Sequence, residues 1–229
     1  AAPAMARRVL PGQFFMVRIS DCDDPLIGRA LAAYDVINDA KGEPKLIDVV
    51  YIVKGKFTTR AAKLKAGDRI DVWGPVGNGL PPGPAAHGIM VAGGIGQTPF
   101  VALAKEALGR QRFGDPPREV PHAEKVTLCY GARTADYLAG LADFEAAGVD
   151  LRISTDDGSR GNHGLVTDLL QQTLDEDATN CHIVCCGPEP MMEAVSRIAR
   201  RRDVPCQVSL ETPMACGIGI CFSCVAKVR

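Results

Sequence analysis

The stretch AGGIGQTP (residues 92–99) decides the fold of the C-terminal part of the chain. It follows the apolar run 88–92, which is typical of a buried strand, and it precedes a helical pattern over residues 100–108. Glycines at such a strand-to-helix turn let a phosphate group approach the backbone and the helix N-terminus. Thr98 suits the helix cap and Pro99 the first helical position. The turn is not a strict G-x-G-x-x-G motif, so a purely structural tight turn is the alternative.

The alternation of strand and helix continues from this turn towards the C-terminus. The pattern predicts strands at 126–130, 151–154, 182–186 and 207–210, and helices at 137–147, 166–174 and 191–201. Repeated strand–helix units predict a parallel sheet covered on both faces. A second turn, CCGPEPMM (residues 185–192), resembles the first, and two such turns would converge where open sheets bind ligands. An ordinary Gly-Pro helix start is the alternative for this second turn.

The N-terminal part does not show this strand–helix alternation. Short β-rich runs at 14–19, 33–37, 46–53 and 69–73, with one short helix at 59–64, predict a small antiparallel barrel. The proline-rich LPPGP (residues 80–84) predicts a linker between the two parts. Residues 109–123, rich in Gly, Pro and charge, predict a mobile excursion.

The chain ends in a cysteine-rich loop, LETPMACGIGICFSC (residues 210–224). Cys216, Cys221 and Cys224 have the C-x4-C-x2-C spacing that opens a plant-type [2Fe–2S] loop. The given sequence has no cysteine after Cys224. A fourth thiolate in a further segment, a ligand from elsewhere, and no cluster at all are the three alternatives. A zinc site formed by these three cysteines is a further alternative, although zinc ribbons usually pair two cysteine knuckles.

Composition narrows the class of protein. The 229 residues are 46% hydrophobic with a net charge of −1, which gives no electrostatic argument for nucleic acid or an anionic membrane. No apolar run reaches the roughly 18 residues of a membrane span. Six cysteines outside the loop lie in or near apolar segments, and we expect them to be free thiols in a reducing cytoplasm. They are Cys22, Cys129, Cys181, Cys185, Cys186 and Cys206.

Taken in order, these motifs resemble the ferredoxin–NADP reductase superfamily, and more closely the electron-transfer subunits of NAD-linked dihydroorotate dehydrogenases. The resemblance rests on an arginine motif at 24–36, GPVGNG at 74–79, the two glycine turns and the terminal cysteine loop. It implies an α+β two-domain fold. An antiparallel β-barrel FAD domain (residues 1–84) precedes a parallel α/β NAD-binding domain (85–208) and a C-terminal [2Fe–2S] loop (209–229).

The resemblance also implies a set of flavin-binding residues. Arg29 would hold the FAD pyrophosphate, and the neighbouring backbone would run along the flavin. This family usually has a hydroxyl residue where Ala32 stands and a glycine where Phe57 stands. The full set of implied flavin contacts is Arg29, Ala30, Leu31, Ala32, Val50, Tyr51, Ile52, Phe57, Thr58, Gly77 and Asn78.

The remaining implied contacts belong to NAD and iron. Gly94, Gly96 and Thr98 would face NAD, with the second turn near the nicotinamide. In that turn Cys186 and Glu189 are the catalytic candidates, next to Gly187 and Pro188, and Cys216, Cys221 and Cys224 would ligate iron. Asp156 and Asp157 follow a strand at the position where a carboxylate favours a free ribose 2′-OH, which favours NAD over NADP. Arg133 and Arg160 argue for NADP.

The implied function is electron transfer. FAD would exchange a hydride with NAD and single electrons with the cluster. The implied partner is a catalytic FMN-containing subunit that oxidises dihydroorotate in pyrimidine biosynthesis, within a cytoplasmic heterotetramer. Three alternatives stay open: the small subunit of an NAD(P)H–ferredoxin oxidoreductase, a cluster-free NADH:flavin reductase, and a zinc-stabilised nucleotide-binding module.

Overall fold

The structure is a computed structural model that describes residues 2–225. Its strands are β1 Phe14–Ile19, β2 Arg29–Ala32, β3 Asp35–Asn38, β4 Pro44–Asp48, β5 Ile70–Val76, β6 His87–Gly93, β7 Lys125–Ala132, β8 Asp150–Thr155, β9 Asn162–His163, β10 Cys181–Cys186 and β11 Cys206–Ser209. Its helices are α1 Pro3–Arg8, α2 Gly55–Ala61, α3 Phe100–Ala107, α4 Leu141–Ala146, α5 Val166–Glu176 and α6 Glu189–Arg201. Two 3-10 turns lie at Gly94–Gln97 and Ala135–Tyr137.

The N-terminal strands form an antiparallel sheet of order β2–β1–β5, beside the separate hairpin β3–β4. Phe15 and Val17 of β1 lie in a hydrophobic core on one face of this sheet. Met16 between them takes the opposite face, because successive strand side chains alternate. Within the described residues the pairing of these strands leaves the sheet open, so closure into the expected barrel stays a prediction.

Several element boundaries predicted in the N-terminal part were wrong. The apolar run 46–53 predicted a strand over its whole length, but β4 spans Pro44–Asp48 and residues 49–54 have no regular structure. The predicted helix 59–64 is α2, which begins earlier, at Gly55. Helix α1 and strand β2 were not predicted. These elements are short and half-exposed, so they lack the continuous apolar pattern that makes an element visible in sequence.

The predicted parallel sheet is confirmed. Its six strands follow the order β11–β10–β6–β7–β8–β9, and every adjacent pair is parallel. Buried side chains of α3 and α4 pack with the sheet on one face, and those of α5 and α6 on the other. Helix α4 begins at Leu141, four residues later than predicted. Gly140, in the left-handed region with a φ of 71°, separates α4 from the preceding 3-10 turn.

Two polar contacts join the N-terminal strands to the helices of the parallel sheet. The Tyr34 hydroxyl donates to the Asp143 carboxylate at 2.7 Å, and Lys105 pairs with buried Asp35. Burial and the Asp143 carboxylate raise the pKa of Tyr34 well above its usual value. Tyr34 therefore remains a neutral donor at physiological pH.

The predicted mobile excursion, residues 109–123, is instead anchored. Phe113 is 3% exposed and packs in the N-terminal core. Arg118 donates to the carboxylate of buried Glu106 at 2.8 and 2.5 Å and to the Leu80 carbonyl at 2.9 Å. A bidentate arginine–carboxylate pair fixes both groups in one geometry. The segment therefore ties the linker to α3.

All nine cysteines are free of disulfide bonds, which agrees with the expectation of free thiols for the six outside the terminal loop. Four of the six outside the terminal loop are buried, whereas Cys22 and Cys206 are half-buried. In the described part of the chain, no helix combines the length and apolar character needed to cross a bilayer.

One prediction concerns acid stability. The Nε2 atom of His87 forms a hydrogen bond with Thr127 Oγ1 at 2.8 Å, and burial lowers the pKa of His87. The pKa of His87 is therefore lower in the folded protein than in the unfolded chain. For this reason the contribution of His87 to the free energy of unfolding is complete above about pH 6.5 and is lost as the pH falls. We expect the free energy of unfolding in urea to decline from pH 7 to pH 5, and to decline less in His87→Gln. The decline should shrink without vanishing, because burial also lowers the pKa of His182. Equal slopes for both proteins would contradict this prediction.

Candidate functional site

The two glycine turns meet at the carboxyl ends of β6 and β10, which are neighbouring parallel strands. A Cβ on buried Gly96 would overlap the carbonyl oxygen of Cys186. A Cβ on Gly187 would lie 3.0 Å from the backbone nitrogen of Gly93. The chain passes from β6 to β7 on one side, whereas β10 lies on the other, so the strand order reverses here. The predicted convergence of the turns is confirmed, and glycine is needed because the two backbones touch.

The first turn differs from the sequence prediction in how the helix starts. Gly94–Gln97 form a 3-10 turn, and Pro99 is the N-cap residue of α3. Thr98 is buried and makes no side-chain cap. Gly94 has a φ of 55°, and a Cβ there would meet nothing within 4 Å. The outward face of Gly94 is therefore open to a ligand.

Gln97 is a residue of this turn that the sequence analysis did not single out. Its side chain is fully buried, and within the described residues neither its amide nitrogen nor its amide oxygen has a hydrogen-bond partner. Burying an amide without a partner costs about 1–3 kcal/mol. In the sequence, the only sign of this role is that Gln97 is a polar residue between a glycine and the start of a helix. That sign is weak, because polar residues at such positions are commonly exposed to solvent.

The second turn holds the two catalytic candidates in different settings. Cys186 is 2% exposed, and burial raises the pKa of its thiol to about 12. The group is therefore a neutral thiol at physiological pH. Pro188 and Glu189 are exposed at the start of α6. Glu189 is therefore accessible from the surface, whereas the Cys186 side chain is not.

The predicted flavin motif forms β2. Arg29 and Ala30 are exposed, and Leu31 and Ala32 are half-buried. The Arg29 guanidinium donates to the carbonyls of Ile27 and Gly28 at 2.8 and 3.1 Å. Among the described residues, no carboxylate lies within ion-pair distance of Arg29. Its charge is therefore free for an anionic ligand.

The other flavin candidates are less uniform. The Thr58 hydroxyl already accepts from the Lys54 backbone nitrogen at 2.6 Å and donates to the Lys54 carbonyl at 2.7 Å. The Phe57 side chain is 4% exposed and lies in the N-terminal core, so only its backbone can face a ligand. Residues 50–52 lie in the irregular segment after β4. Gly77 and Asn78 are exposed just beyond β5.

The cysteine loop has no helix or strand in its described part, residues 210–225. Within it, the Cys216 sulfur accepts from the Ile218 backbone nitrogen at 3.4 Å, and the Cys221 sulfur lies 3.0 Å from the Ser223 hydroxyl. The Ser223 contacts lower the pKa of Cys221 to about 6, and backbone N–H groups lower the pKa of Cys216. Both sulfurs are thus disposed to be thiolates, the form that binds metals.

Cys224 does not complete this pair. Among residues 2–225, no three side chains of His, Cys, Asp or Glu stand close enough together to hold a metal ion. The assembly of Cys216, Cys221 and Cys224 into one ligand set therefore stays a prediction. Residues 226–229 lie outside the described part of the chain.

The acidic turn after β8 contains the residues that would distinguish NAD from NADP. Ser159 donates to Asp157 from its backbone nitrogen at 3.0 Å and from its hydroxyl at 2.6 Å, which lowers the pKa of Asp157. One Asp157 oxygen is therefore already engaged. Arg133 follows β7, Asp156 follows β8, and Arg160 lies in the turn before β9; all three are exposed. The prediction of NAD over NADP stays open on this geometry.

A parallel sheet with two converging glycine turns at its carboxyl edge is typical of dinucleotide-binding oxidoreductases. Residues 90–197 match the family model for the oxidoreductase NAD-binding domain. A solved structure described as an NADH-dependent reduced ferredoxin-NADP oxidoreductase is 29% identical, with a TM-score of 0.77, over 97% of this chain and 73% of that chain. The cytochrome b5 reductase domain of Ulva prolifera nitrate reductase, at 19% identity and a TM-score of 0.64, shares the fold.

Curated relatives narrow the class further. The chain is 35% identical to the dihydroorotate dehydrogenase B (NAD(+)) electron transfer subunit of Desulforamulus reducens, over 99% of this chain and 80% of the relative. It is 38% identical to the probable subunit of the same name from Methanothermobacter thermautotrophicus, over 95% of this chain and 73% of the relative. The chain belongs to the family of dihydroorotate dehydrogenase B electron transfer subunits, and it is an oxidoreductase subunit.

Proposed function

We propose that this chain carries electrons between NAD(H) and a catalytic FMN-containing subunit that oxidises dihydroorotate to orotate. The observation that carries the proposal is the near full-length similarity to electron transfer subunits of dihydroorotate dehydrogenase B. The proposed domains are an FAD-binding barrel at residues 1–84, an NAD-binding α/β domain at 85–208 and an iron–sulfur loop at 209–229. When bound, FAD supplies hydride and single-electron chemistry, and a [2Fe–2S] cluster supplies single-electron chemistry.

The geometry of the first turn supports an NAD site. The outward face of Gly94 is open, which would let a pyrophosphate reach the backbone. The buried Gln97 amide has no hydrogen-bond partner among the described residues, and a polar ligand group could supply one. Gly96, Thr98, Gly187 and Pro188 would shape the cleft, and the second turn would lie near the nicotinamide.

The charge and exposure of β2 support an FAD site. Arg29 has an exposed guanidinium without a carboxylate partner in the described residues, which suits a pyrophosphate. The exposed backbone beside Ala30 would lie along the flavin. Thr58 could bind phosphate only by giving up one of its bonds to Lys54.

The chemistry of the terminal loop supports a cluster site. Two of its sulfurs are disposed to be thiolates, and glycines between them give backbone N–H groups access to sulfur. Cys216, Cys221 and Cys224 would hold the iron. Five large apolar side chains of the loop are exposed, which favours a protein partner over open solvent: Leu210, Ile218, Ile220, Phe222 and Val225. We propose a heterotetramer with the catalytic subunit.

The test is a visible spectrum with iron and sulfide analysis of anaerobically purified protein, followed by NAD⁺ reduction by dihydroorotate after the catalytic subunit is added. We expect flavin bands and roughly two irons and two sulfides per chain. Flavin without iron would favour a cluster-free NADH:flavin reductase. A colourless protein that carries zinc would favour the zinc-stabilised module.

A second candidate is the small subunit of an NAD(P)H–ferredoxin oxidoreductase. It is favoured by the structural match to the NADH-dependent reduced ferredoxin-NADP oxidoreductase. The partner distinguishes the two functions. Reduction of ferredoxin by NAD(P)H in the native complex, with no response to dihydroorotate, would favour this candidate.

The flavin site gives a direct prediction. In Arg29→Ala we expect the FAD content of the purified protein to fall by at least roughly tenfold, because the pyrophosphate loses a charge-assisted partner. The matched control is Arg18→Ala. Arg18 lies on β1 of the same sheet, and its 2.6 Å ion pair with Asp71 is half-exposed, so removing it should leave FAD content unchanged. Equal FAD contents in wild type and Arg29→Ala would remove Arg29 from the site.

A further inference from the structure

We propose that Trp73 is a positioning residue that holds the cysteine loop against the segment that precedes Arg29, and so sets the distance between the two proposed redox groups. This inference rests on the proposed function. It concerns how the chain joins the FAD site to the iron–sulfur site.

The indole of Trp73 reaches the loop directly. Its Nε1–H donates to the Cys216 carbonyl oxygen at 3.0 Å, across 143 positions of sequence. Among the described residues, this is the only hydrogen bond that links residues 210–225 to the rest of the chain. The other hydrogen bonds of the loop are internal. One side chain therefore supplies the loop's polar anchor.

The same indole also touches the flavin motif. Gly28 is buried, and a Cβ there would lie 2.6 Å from Cη2 of Trp73. Gly28 immediately precedes Arg29, whose guanidinium donates to the Gly28 carbonyl. The two ends of one ring system thus contact the segment proposed to hold FAD and the segment proposed to hold iron.

The sheet that carries Trp73 also packs directly against the cysteine loop. Met16 pairs with Ala30 of β2 on one side and with Trp73 of β5 on the other, so these residues form a row across the sheet. Met16 is fully buried although it lies on the face away from the N-terminal core. Gly217 covers it, since a Cβ on Gly217 would overlap Met16 Cγ and lie 3.6 Å from Trp73 Nε1. The loop is thus packed on the sheet as well as hydrogen-bonded to it.

Two glycines of the loop provide a matched pair of variants. Gly217 and Gly219 have φ angles of 69° and 80°, so alanine strains the backbone equally at both positions. A Cβ on Gly217 would collide with Met16, whereas a Cβ on Gly219 would meet nothing within 4 Å. Gly217→Ala therefore lifts the loop from the sheet, and Gly219→Ala does not.

The experiment compares Trp73→Phe, Trp73→Leu, Gly217→Ala and Gly219→Ala with wild type. In stopped flow with NADH, we expect the rate of flavin reduction in Gly217→Ala and Gly219→Ala to match that of wild type, because both residues lie in the cysteine loop and not among the proposed FAD contacts. Cluster reduction should slow by roughly tenfold or more in Trp73→Leu and Gly217→Ala, because small misplacements of reacting groups cost large factors in rate. Trp73→Phe keeps the ring but loses the N–H donor, so it should fall between Trp73→Leu and wild type. Gly219→Ala should match wild type.

A second readout needs no cofactor. Hydrogen–deuterium exchange of residues 214–224 should be faster in Trp73→Leu and Gly217→Ala than in wild type and Gly219→Ala. Trp73 is the only tryptophan of the chain, so its emission should shift to the red in Gly217→Ala as the indole becomes hydrated.

The outcomes separate this inference from the proposed function. Unchanged cluster reduction and unchanged loop exchange in Trp73→Leu would overturn the role of Trp73 and leave the electron-transfer function intact. A wild-type protein without iron would overturn the proposed function. The exchange and emission measurements on that same protein would still decide whether Trp73 anchors the loop.

Discussion

Replacement of Cys221 by serine is expected to abolish iron and sulfide binding while FAD stays bound. Wild type should contain roughly two irons and two sulfides per chain, and Cys221→Ser close to none. Serine keeps the size of the side chain but cannot supply a soft thiolate, and the contacts of Cys221 with Ser223 lower the pKa of the Cys221 thiol to about 6. FAD should remain, because the proposed FAD contacts lie on β2 and its neighbours rather than in the loop. The measurement is metal and sulfide analysis together with the visible spectrum.

The control for Cys221→Ser is Cys22→Ser. Cys22 is a half-buried free thiol outside the loop whose sulfur contacts Arg60 at 2.8 Å. Its replacement should leave the iron content at the wild-type value. If Cys221→Ser loses FAD and iron together, the loop is a structural part of the flavin site. If it retains full iron, Cys221 is not a ligand.

The parallel sheet could be predicted from sequence because its strands are buried on both faces. Runs such as the one around Ile183 are continuously apolar, and glycine turns mark where they end. The N-terminal strands gave a weaker signal, since β2, β3 and β4 are partly exposed and carry polar residues. Their boundaries were accordingly misplaced or missed.

The parts of the site that escaped prediction depend on contacts between distant residues. Trp73 and Cys216 are 143 positions apart, and no local pattern pairs them. The anchoring of residues 109–123 depends on Glu106, a buried acid that reads as an ordinary helix residue in sequence. Local spacing identifies a loop or a turn as a candidate site, but it does not tell which side chain of another element holds it in place.

Gly94→Ala is expected to weaken NAD binding by roughly tenfold, or about 1.4 kcal/mol. Gly94 has a φ of 55° and an open outward face, so the added methyl group meets no protein atom within 4 Å. It would occupy the space proposed for the pyrophosphate, where a phosphate must approach the backbone closely. Calorimetric titration of the FAD-loaded protein with NAD⁺ measures the affinity, and thermal unfolding measures the stability.

Gly42→Ala is the matched control for this variant. Gly42 has a φ of 83°, lies at the tip of the β3–β4 hairpin, and also has no atom within 4 Å of an added Cβ. Both variants should lose about 1–2 kcal/mol of stability from left-handed strain. Only Gly94→Ala should lose affinity for NAD⁺, because only its methyl group lies in the turn proposed to bind the nucleotide. Equal affinities of the two variants for NAD⁺ would show that the pyrophosphate does not bind at the first turn. The second turn, with Gly187, would then be the site to test.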